Sequence, residues 1–534
     1  MAGILLHNRL HTLESTAEGE GDFLLAIQHQ RAAERFRQQI GRETELIAAV
    51  VKHHLRLRHD DSCVVLPPNS WIQGGFNLCI LVDVQSRSSS ESRRVIFRCP
   101  MAHKLAEQQY PGTIDEKISC EAATYAWMQD YCADIRIPHL YAFGFADGSQ
   151  FAHASRRPWY IRFWHSLRRR IYRLLGYPLL SSYTRDPYAP AIGTAYMLLE
   201  HIGPETGQML SATWAQHRHD PGRQTRLFHG IARIMLSLAR LPQPHIGSFR
   251  FNSGDGTVTL TNRPLISTTI IFENSGSPRI IQPHQIYQSP DTFASDMLTL
   301  HDNYLLHYRH AVRDDEDARE RMTIRTLLRA VMHHFVLPDR RNGPFLVQTT
   351  DLHQSNIFVD EDWNVTCLID LEWICALPVE MLAVPYWLTD CSIDEIIDGK
   401  YTLFDEARRA FLAAMDEEVK TIPPAHDIPI TRTMQDLWVS KTVWFWACIR
   451  SLNGWLFLFE DHIVPKFSAK KDLISDLKHA SAFWMQDVDA VVKAKVEDEE
   501  QYQAELHSLF SSQRHSKDLL EIPSENKPLA AALS

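Results

Sequence analysis

The chain has 534 residues with 45% hydrophobic and 22% charged side chains, which is ordinary for a globular protein and sufficient for a large core. Its formal net charge of −10 argues against general nucleic-acid binding, so no nucleic-acid partner is predicted. Nine scattered cysteines without a CxxC pair, and an N-terminus without a secretory signal, favour a cytoplasmic protein with reduced thiols.

The first elements predict an N-terminal part that contains a sheet. Apolar positions at helical spacing predict a helical extension over residues 1–60, with its main helix at 24–57. Alternating and β-branched segments then predict an antiparallel sheet with one main helix in residues 61–200. The predicted strands are 76–84, 94–99, 140–145 and 195–200, and the predicted helix is 115–131.

An arginine-rich insert occupies residues 151–191. Its segment 155–177 contains seven arginines and no acidic residue, and apolar side chains are interleaved with them. A basic amphipathic helix of this kind either packs against the sheet or contacts an anionic membrane surface. Packing is the preferred interpretation, because an amphipathic stretch in a globular protein usually covers a core. The apolar residues are Trp159, Phe163, Trp164, Leu167, Ile171 and Leu174.

The second half of the chain is predicted to be mainly helical over residues 201–500, with a helix end and flexible tail over 501–534. Helical spacing is clearest at 226–241, 322–337 and 435–459. The last segment is rich in aromatic residues that either line an acceptor pocket or fill the core, and core packing is preferred. These residues are Trp438, Trp444, Phe445, Trp446, Trp455 and Phe457.

The chemically informative stretch is TTDLHQSNIFVDEDWNVTCLIDLEW, residues 349–373. Asn356 follows Asp351 by five positions, and Asp370 ends an apolar run predicted as the second strand of a hairpin with its turn at 360–364. Phosphoryl transfer requires a carboxylate beside the attacking hydroxyl, and oxygen ligands for Mg²⁺. The alternative is a polar hairpin in which these side chains only cap turns.

The DLHQSN sequence resembles the catalytic loop of the aminoglycoside phosphotransferase and choline kinase families, and IDLEWICALPVEMLAVPYWLT resembles large fungal members of the former. The resemblance implies an α+β, protein-kinase-like fold with a small five-stranded lobe and a large, mostly helical lobe. It implies that Asp351 is the catalytic carboxylate, with His353 beside it in the loop. It also implies that Asn356 and Asp370 bind Mg²⁺, with Glu372 as a nearby support.

Upstream positions match the same pattern in the expected order. Arg98 takes the place of the usual phosphate-binding lysine on its strand, and Glu121 on the helix is its expected partner. Alternatively, the two residues form a surface ion pair worth at most about 1 kcal/mol. Gly74 and Gly75 precede the first strand pair, where they either cover the phosphates with backbone N–H groups or simply start a loop.

Two further positions follow from the resemblance. The segment AYMLLEHIGPETGQML resembles the family's hinge between lobes, so backbone groups near Glu200 and Ile202 are expected to pair with adenine. Thr349 stands where kinases place a histidine that braces the catalytic loop. A threonine at this position implies that another group supplies the brace.

These features predict an ATP- and Mg²⁺-dependent phosphotransferase acting on a hydroxyl of a small molecule, such as an aminoglycoside-like, choline-like or other metabolite. The first alternative is a pseudokinase-like protein that binds a nucleotide or metabolite without transfer. The second is a scaffold or membrane-associated protein that uses the arginine-rich insert and the long helical C-terminal region. Fold does not identify the acceptor, and an acidic cleft is expected only if the acceptor is cationic.

Overall fold

The N-terminal segment folds into a hairpin and three helices. The helix predicted over 24–57 is divided in two, because the backbone leaves the helical conformation at Glu43. The bounds are β1 (Gly3–Leu6), β2 (Arg9–Thr12), α1 (Leu13–Ala17), α2 (Phe23–Arg42) and α3 (Thr44–Leu55). This computed structural model describes residues 3–6, 9–85, 92–470 and 473–518.

Residues 62–200, termed the sheet region, contain an antiparallel sheet of eight strands. The bounds are β3 (Ser62–Val65), β4 (Ile72–Gln73), β5 (Asn77–Gln85), β6 (Ser92–Pro100), β7 (Leu140–Gly144), β8 (Gln150–His153), β9 (Leu179–Leu180), β10 (Tyr183–Arg185) and β11 (Tyr196–Glu200). The order is β10-β8-β7-β11-β6-β5-β3, with β4 paired to β5 and β9 outside this sheet. The implied five strands are wrong in number, because β4, β8 and β10 extend the sheet.

Two helices cover opposite faces of the sheet. Helix α4 (Thr113–Tyr131) lies where the sequence predicts it and packs on one face, where Tyr125 and Met197 share a buried cluster. Helix α3 packs on the other face, where Val51 and Leu198 share a second cluster. Met197 and Leu198 face opposite sides because side chains alternate along a strand. Helix α3, predicted as part of the N-terminal extension, therefore completes the packing of the sheet.

The insert forms helix α5 (Trp159–Leu174), and none of its residues is buried. The preferred interpretation of its aromatic residues, packing against the sheet, is wrong. Trp159, Phe163 and Trp164 are 77%, 59% and 65% exposed. No helix in the described ranges is long and apolar enough to cross a membrane.

Residues 201–518, termed the helical region, are built mainly from helices. The bounds are α6 (Leu210–His217), α7 (Pro221–Ala239), α8 (Ser267–Asn274), α9 (Pro290–His307), α10 (Asp315–Val331), α11 (Asp398–Val419), α12 (Ile430–Val439), α13 (Thr442–Arg450), α14 (Trp455–Leu458), α15 (Val464–Phe467), α16 (Leu473–Asp476) and α17 (Val488–Asp518). The helix predicted over 322–337 ends at Val331, and the one over 435–459 breaks at Lys441, whose φ is 66°.

Short antiparallel strands in the helical region carry the predicted catalytic loop. The bounds are β12 (Gln208–Met209), β13 (Pro242–Gln243), β14 (Ser248–Phe251), β15 (Thr257–Asn262), β16 (Phe345–Thr349), β17 (Ile357–Val359), β18 (Val365–Leu368) and β19 (Ile374–Leu377). The predicted hairpin is confirmed as β17 and β18, with Asp360 N donating to Asn364 O at 3.1 Å across its turn. Strands β16 and β19 pair with each other, so the segment between them, residues 350–373, leaves and rejoins the sheet at adjacent positions.

The two ends of the described chain pack together. Phe23 of α2 lies in a buried cluster with Tyr502, Leu506 and Phe510 of α17. The tail predicted to be flexible lies, from residue 519 onward, outside the described residues. The chain is thus mixed α and β, with antiparallel sheet in its N-terminal part and helices dominating the remainder, as predicted at that level.

Candidate active site

The predicted catalytic loop is a tight turn held by its own residues. Asn356 Nδ2 donates to Asp351 O at 2.8 Å, and Asn356 N donates to His353 O at 2.9 Å. His353 Nδ1 accepts from Ser355 N at 3.2 Å, so this side chain caps the turn that presents Asp351. Because the amide nitrogen of Asn356 is engaged, its Oδ1 is the atom left to bind a ligand.

Two distant residues hold the same loop from outside. Arg450 Nη2 donates to Thr350 O at 3.1 Å, and Trp387 Nε1 donates to Leu352 O at 2.6 Å. Because Thr349 replaces the histidine that supports this loop in kinases, another group was expected to support it, and Arg450 and Trp387 do so. The sequence contains no signal for them, because they lie 100 and 35 residues from the groups they hold. With the turn bonds included, every carbonyl from 350 to 353 has a partner, so the loop is preorganised.

Arg98 of β6 joins the sheet region to the helical region. Its Nη1 forms an ion pair with Glu121 of α4, and its Nη2 donates to Asp370 Oδ1 at 2.6 Å and to Glu372 Oε2 at 2.8 Å. The predicted pairing of Arg98 with Glu121 is confirmed. The alternative of a surface ion pair is wrong, because the two side chains are only 8% and 0% exposed.

Lys117 and Asn77 complete this arrangement, and sequence reasoning missed both. Lys117 Nζ lies 2.5 Å from Glu372 Oε2 and donates to Asn77 Oδ1 at 2.9 Å. Asn77 Nδ2 in turn donates to Glu372 Oε2 at 2.8 Å. Lys117 lies one helical turn before Glu121, so the shared face of α4 was the available signal.

Four buried side chains and the half-buried Asp370 form a group termed the buried charge cluster, comprising Arg98, Lys117, Glu121, Asp370 and Glu372. Burial raises the pKa of Glu121 and of Asp370, and Arg98 opposes this rise. Burial also acts to raise the pKa of Glu372, but Lys117 and Arg98 together bring it below its usual value. With all groups charged, three carboxylates face two cations, and the surplus negative charge favours a further cation.

Asp370 and Asn356 are the residues of this site whose oxygens fit Mg²⁺. Ile369 N donates to Asn356 O at 2.9 Å, which places Asp370 next to Asn356 along the backbone. Asp370 has a φ of 62°, a left-handed conformation that persists in non-glycine residues where the surroundings impose it. Asn356 Oδ1 and the second carboxylate oxygen of Asp370 match the preference of Mg²⁺ for hard oxygen ligands.

The predicted phosphate-covering glycines lie beside the buried charge cluster. Gly74 and Gly75 are exposed between β4 and β5, and Gly74 N donates to Asn77 O at 2.9 Å. The ring of Phe76 packs on the ring of Trp373, with 4.9 Å between the ring centroids. Trp373 directly follows Glu372 in the chain. The tip of this hairpin is therefore close enough to the cluster for the predicted role, which stays a prediction.

The predicted hinge residue Glu200 has its backbone N–H and its carboxylate bonded within the sheet region. Its N donates to His139 O at 2.9 Å, and its carboxylate accepts from His139 N at 3.0 Å and from Arg136 Nη2 at 3.1 Å. The backbone N–H of Glu200 is thus not free to pair with adenine in this structure. The expected pairing of adenine with other backbone groups near Glu200 and the buried Ile202 stays a prediction.

A cavity of about 400 Å³ opens beside Asp351 in the helical region. Most of its lining is apolar, and it includes Trp438, Trp444 and Trp446. The preferred interpretation of core packing is confirmed for these three tryptophans, which are at most 8% exposed and belong to the large buried cluster of the helical region. They also contribute to the lining of the cavity beside the predicted catalytic carboxylate.

The charged lining of the cavity is not acidic overall. It comprises Asp351, His353, Glu380, Arg408 and Arg450. Burial raises the pKa of Glu380 to about 7, so this group is only partly charged near neutral pH. Arg450 forms no ion pair with a carboxylate of the described chain, whereas Arg408 is occupied by a neighbouring aspartate at 2.8 Å.

The pKa of Asp351 is raised by burial, and Asp370 and Glu372 raise it further. The charge of Arg450, and that of His353 when its ring is protonated, opposes this rise because a nearby positive charge favours the carboxylate. An aspartate with a raised pKa is a better proton acceptor once it is deprotonated, which is the property a general base needs.

A second group of titratable residues lies away from this site. His53 Nε2 and His54 Nδ1 are 3.1 and 3.9 Å from Asp186 Oδ2. Arg157 Nη1 is 2.6 Å from the same oxygen. Because this guanidinium already neutralises Asp186, the group is an ion-pair network that ties the insert to α3, and a metal ion is disfavoured there.

No family model matches the chain, and no curated protein matches it. The resemblance to aminoglycoside phosphotransferases and choline kinases therefore rests on the quoted motifs, and family membership stays a prediction. The side-chain arrangement around Arg98 and Asp351 is the independent basis for assigning a function.

Proposed function

We propose that this protein is an ATP- and Mg²⁺-dependent phosphotransferase with a protein-kinase-like, two-lobed fold, which phosphorylates a hydroxyl of a small molecule. The observation that carries the proposal is the bridge that Arg98 makes between Glu121 and Asp370. In kinases, a cation on the third strand pairs with a glutamate of the next helix, and a carboxylate after the catalytic loop holds the metal. A cation, a glutamate and a metal-binding type of carboxylate occur here in the same chain order, with arginine in place of the usual lysine.

Each residue of the site has a proposed role. Asp351, on a loop whose carbonyls are all held, orients the acceptor hydroxyl and takes its proton. Asn356 and Asp370 provide oxygen ligands for Mg²⁺, which when bound neutralises charge on the transferring phosphates. Arg98, oriented by Glu121, provides donors for phosphate oxygens, and its planar guanidinium can make two parallel hydrogen bonds.

The acceptor is proposed to bind in the 400 Å³ cavity beside Asp351. An apolar, aromatic lining with a few polar groups is typical of sites for small organic molecules. Two arginines line it, and one of the two carboxylates has a pKa of about 7, so the cavity lacks the acidic character that a polycationic aminoglycoside requires. A neutral or anionic, largely apolar hydroxyl compound fits better, with Arg450 facing its polar group.

One observation favours the pseudokinase-like alternative. Arg98 Nη2 contacts Asp370 at 2.6 Å, so a protein cation already occupies one oxygen of the proposed metal ligand. If that contact persists when nucleotide binds, ATP affinity will not depend on Mg²⁺ and no phosphate will be transferred. In the phosphotransferase, Asn356 and Asp370 would hold Mg²⁺ together with the ATP phosphates, so Mg²⁺ would increase ATP affinity.

The proposal is tested with Asp351→Asn and with Glu361→Gln, an exposed control in the turn of the same hairpin. The full chain is incubated with γ-labelled ATP, Mg²⁺ and fractions of an apolar metabolite extract, and labelled products are measured. Asp351→Asn is expected to reduce transfer by about 10²- to 10⁴-fold with ATP affinity unchanged, and Glu361→Gln to retain activity. Undiminished transfer by Asp351→Asn contradicts the assignment, and Mg²⁺-independent ATP binding without any product supports the alternative.

A further inference from the structure

Helix α5 of the insert is attached to the body of the protein by its polar side. Arg169 Nη2 donates to Asp130 Oδ1 at 2.7 Å, and Arg169 Nε donates to Leu180 O at 2.9 Å. One turn earlier, His165 Nε2 lies 2.8 Å from Ser181 O. The half-buried residues of the helix form a single stripe on this side, namely Ile161, His165, Arg169 and Tyr172.

The opposite side of α5 is apolar and faces solvent. Residues three and four positions apart share a helix face, so the large apolar side chains form one continuous stripe. They are between 38% and 84% exposed, and a contiguous apolar patch of this kind marks an interaction site. The stripe comprises Trp159, Tyr160, Phe163, Trp164, Leu167, Ile171 and Leu174, and it is continued by Leu175 and Tyr177.

Arginines border the apolar stripe on both edges. Arg168 lies along one edge, and Arg162, Arg170 and Arg173 lie along the other, all of them exposed. The sequence contains no acidic residue from 154 to 185, although the whole chain carries a net charge of −10. The positive charge is therefore concentrated around the exposed aromatic face.

From this arrangement we propose that α5 is an interfacial anchor, lying in the headgroup region of an anionic lipid bilayer with its aromatic stripe buried and its arginines on the lipid phosphates. Helices that lie in a membrane surface combine an apolar face containing Trp, Phe and Leu with a polar face rich in arginine or lysine. A bilayer surface is broad and anionic, and it matches a convex apolar face with cations on both edges. This anchor holds the protein on the surface without a spanning helix.

The charge pattern disfavours a second copy of the chain as the occupant. Two copies that met through this stripe would bring the bordering arginines of both helices together, and residues 154–185 contain no acidic side chain to neutralise them. Like charges in such a contact are destabilising, whereas lipid phosphates and carboxylates neutralise the same arginines. The proposal is independent of the phosphotransferase assignment, since it uses none of the residues of that site.

The test is vesicle flotation of the full chain with phosphatidylcholine vesicles and with vesicles that also contain phosphatidylserine. The apolar variant is Phe163→Ser with Trp164→Ser, the charge variant is Arg168→Gln with Arg170→Gln, and the control is Phe483→Ser, a residue 85% exposed elsewhere. The wild type and the control are expected to bind anionic vesicles, less so at high salt. The apolar variant is expected to lose at least about tenfold in partitioning. The charge variant is expected to lose about fivefold per arginine on anionic vesicles and little on neutral ones.

Each outcome decides the proposal. Equal partitioning of the wild type and the apolar variant, or no binding of the wild type to either vesicle, overturns it. Equal binding to both vesicle types overturns the requirement for anionic lipid. If analytical ultracentrifugation shows a dimer that only the apolar variant abolishes, and no vesicle binding, the occupant is a second copy. Circular dichroism confirms that all variants are folded.

Discussion

The buried charge cluster and helix α5 depart in opposite ways from the usual burial of apolar residues and exposure of charged ones. The cluster places four ionisable side chains in the interior beside the half-buried Asp370, and the helix exposes a row of large aromatic and aliphatic side chains to solvent. Buried charges and large exposed apolar patches are the informative exceptions to ordinary burial. In this molecule each exception coincides with a proposed function, nucleotide binding in one case and membrane binding in the other.

The two regions differ in where their partners lie. The charges of the cluster are neutralised by one another within the chain, so removing one leaves the rest buried without compensation. The apolar stripe of α5 has no covering element in the described chain, so removing its side chains leaves the folded protein with nearly the same contacts. Substitutions in the buried charge cluster are therefore expected to change the stability of the protein, whereas substitutions in the apolar stripe of α5 are expected to change only membrane binding.

The largest expected effect is on the cluster. Arg98→Met leaves three carboxylates facing Lys117 alone, and we expect it to reduce the free energy of unfolding by about 3–5 kcal/mol. Urea unfolding provides the measurement. The matched control is Arg94→Met in the same strand, whose ion pair with Asp83 is exposed and whose loss is expected to change stability by less than about 1 kcal/mol. If the two variants lower the free energy of unfolding by similar amounts, the buried charge cluster does not contribute more to stability than an exposed ion pair.

A buried histidine of the helical region is expected to make stability depend on pH. Burial lowers the pKa of His301 to about 3, below its unfolded value of about 6.5, so the unfolded chain binds the proton more readily. Its contribution is complete above pH 6.5 and declines as the pH falls towards 3, by up to about 1.4 kcal/mol per unit. Thermal or urea unfolding between pH 6.5 and 5 should show a smaller decline in His301→Gln than in the wild type.

A moderate effect is expected at Arg450, which contacts the catalytic loop. Its charge opposes the raised pKa of Asp351, so Arg450→Gln should raise that pKa further. Since the general base must be deprotonated, the acid limb of the pH–rate profile is expected to move to higher pH by roughly one unit. Arg450→Lys keeps the charge and should restore most of the wild-type position. An unchanged limb in Arg450→Gln would show that its role is limited to holding Thr350.

The smallest effect is expected on the stability of α5 variants. Phe163→Ser and Trp164→Ser change exposed side chains and should each alter the free energy of unfolding by no more than about 0.5 kcal/mol. Phe143→Ala, in the buried face of the sheet, is expected to cost about 3–5 kcal/mol. A large destabilisation by the α5 variants would mean that the stripe packs within the protein.

Local patterns in the sequence were sufficient for the main strands, for α4 and for the hairpin after the catalytic loop. Alternation and helical spacing are properties of neighbouring residues, so segments such as 76–84 and 115–131 were predictable. The break at Lys441 and the early end of the helix at Val331 were not, because the same apolar spacing continues across both positions. At the site, the order of Asp351, Asn356 and Asp370 was readable because the motif is contiguous.

The sequence by itself determined that a chemically suited loop exists, that Arg98 and Glu121 are available to pair, and that α5 has two unlike faces. Only the tertiary structure decided that Lys117 joins the cluster, that Arg450 and Trp387 hold the loop, and that the apolar face of α5 points away from the protein. The physical reason is that the spacing of apolar residues shows only that a helix has one apolar and one polar face. Which of these faces packs against the protein is decided by contacts with residues distant in the chain.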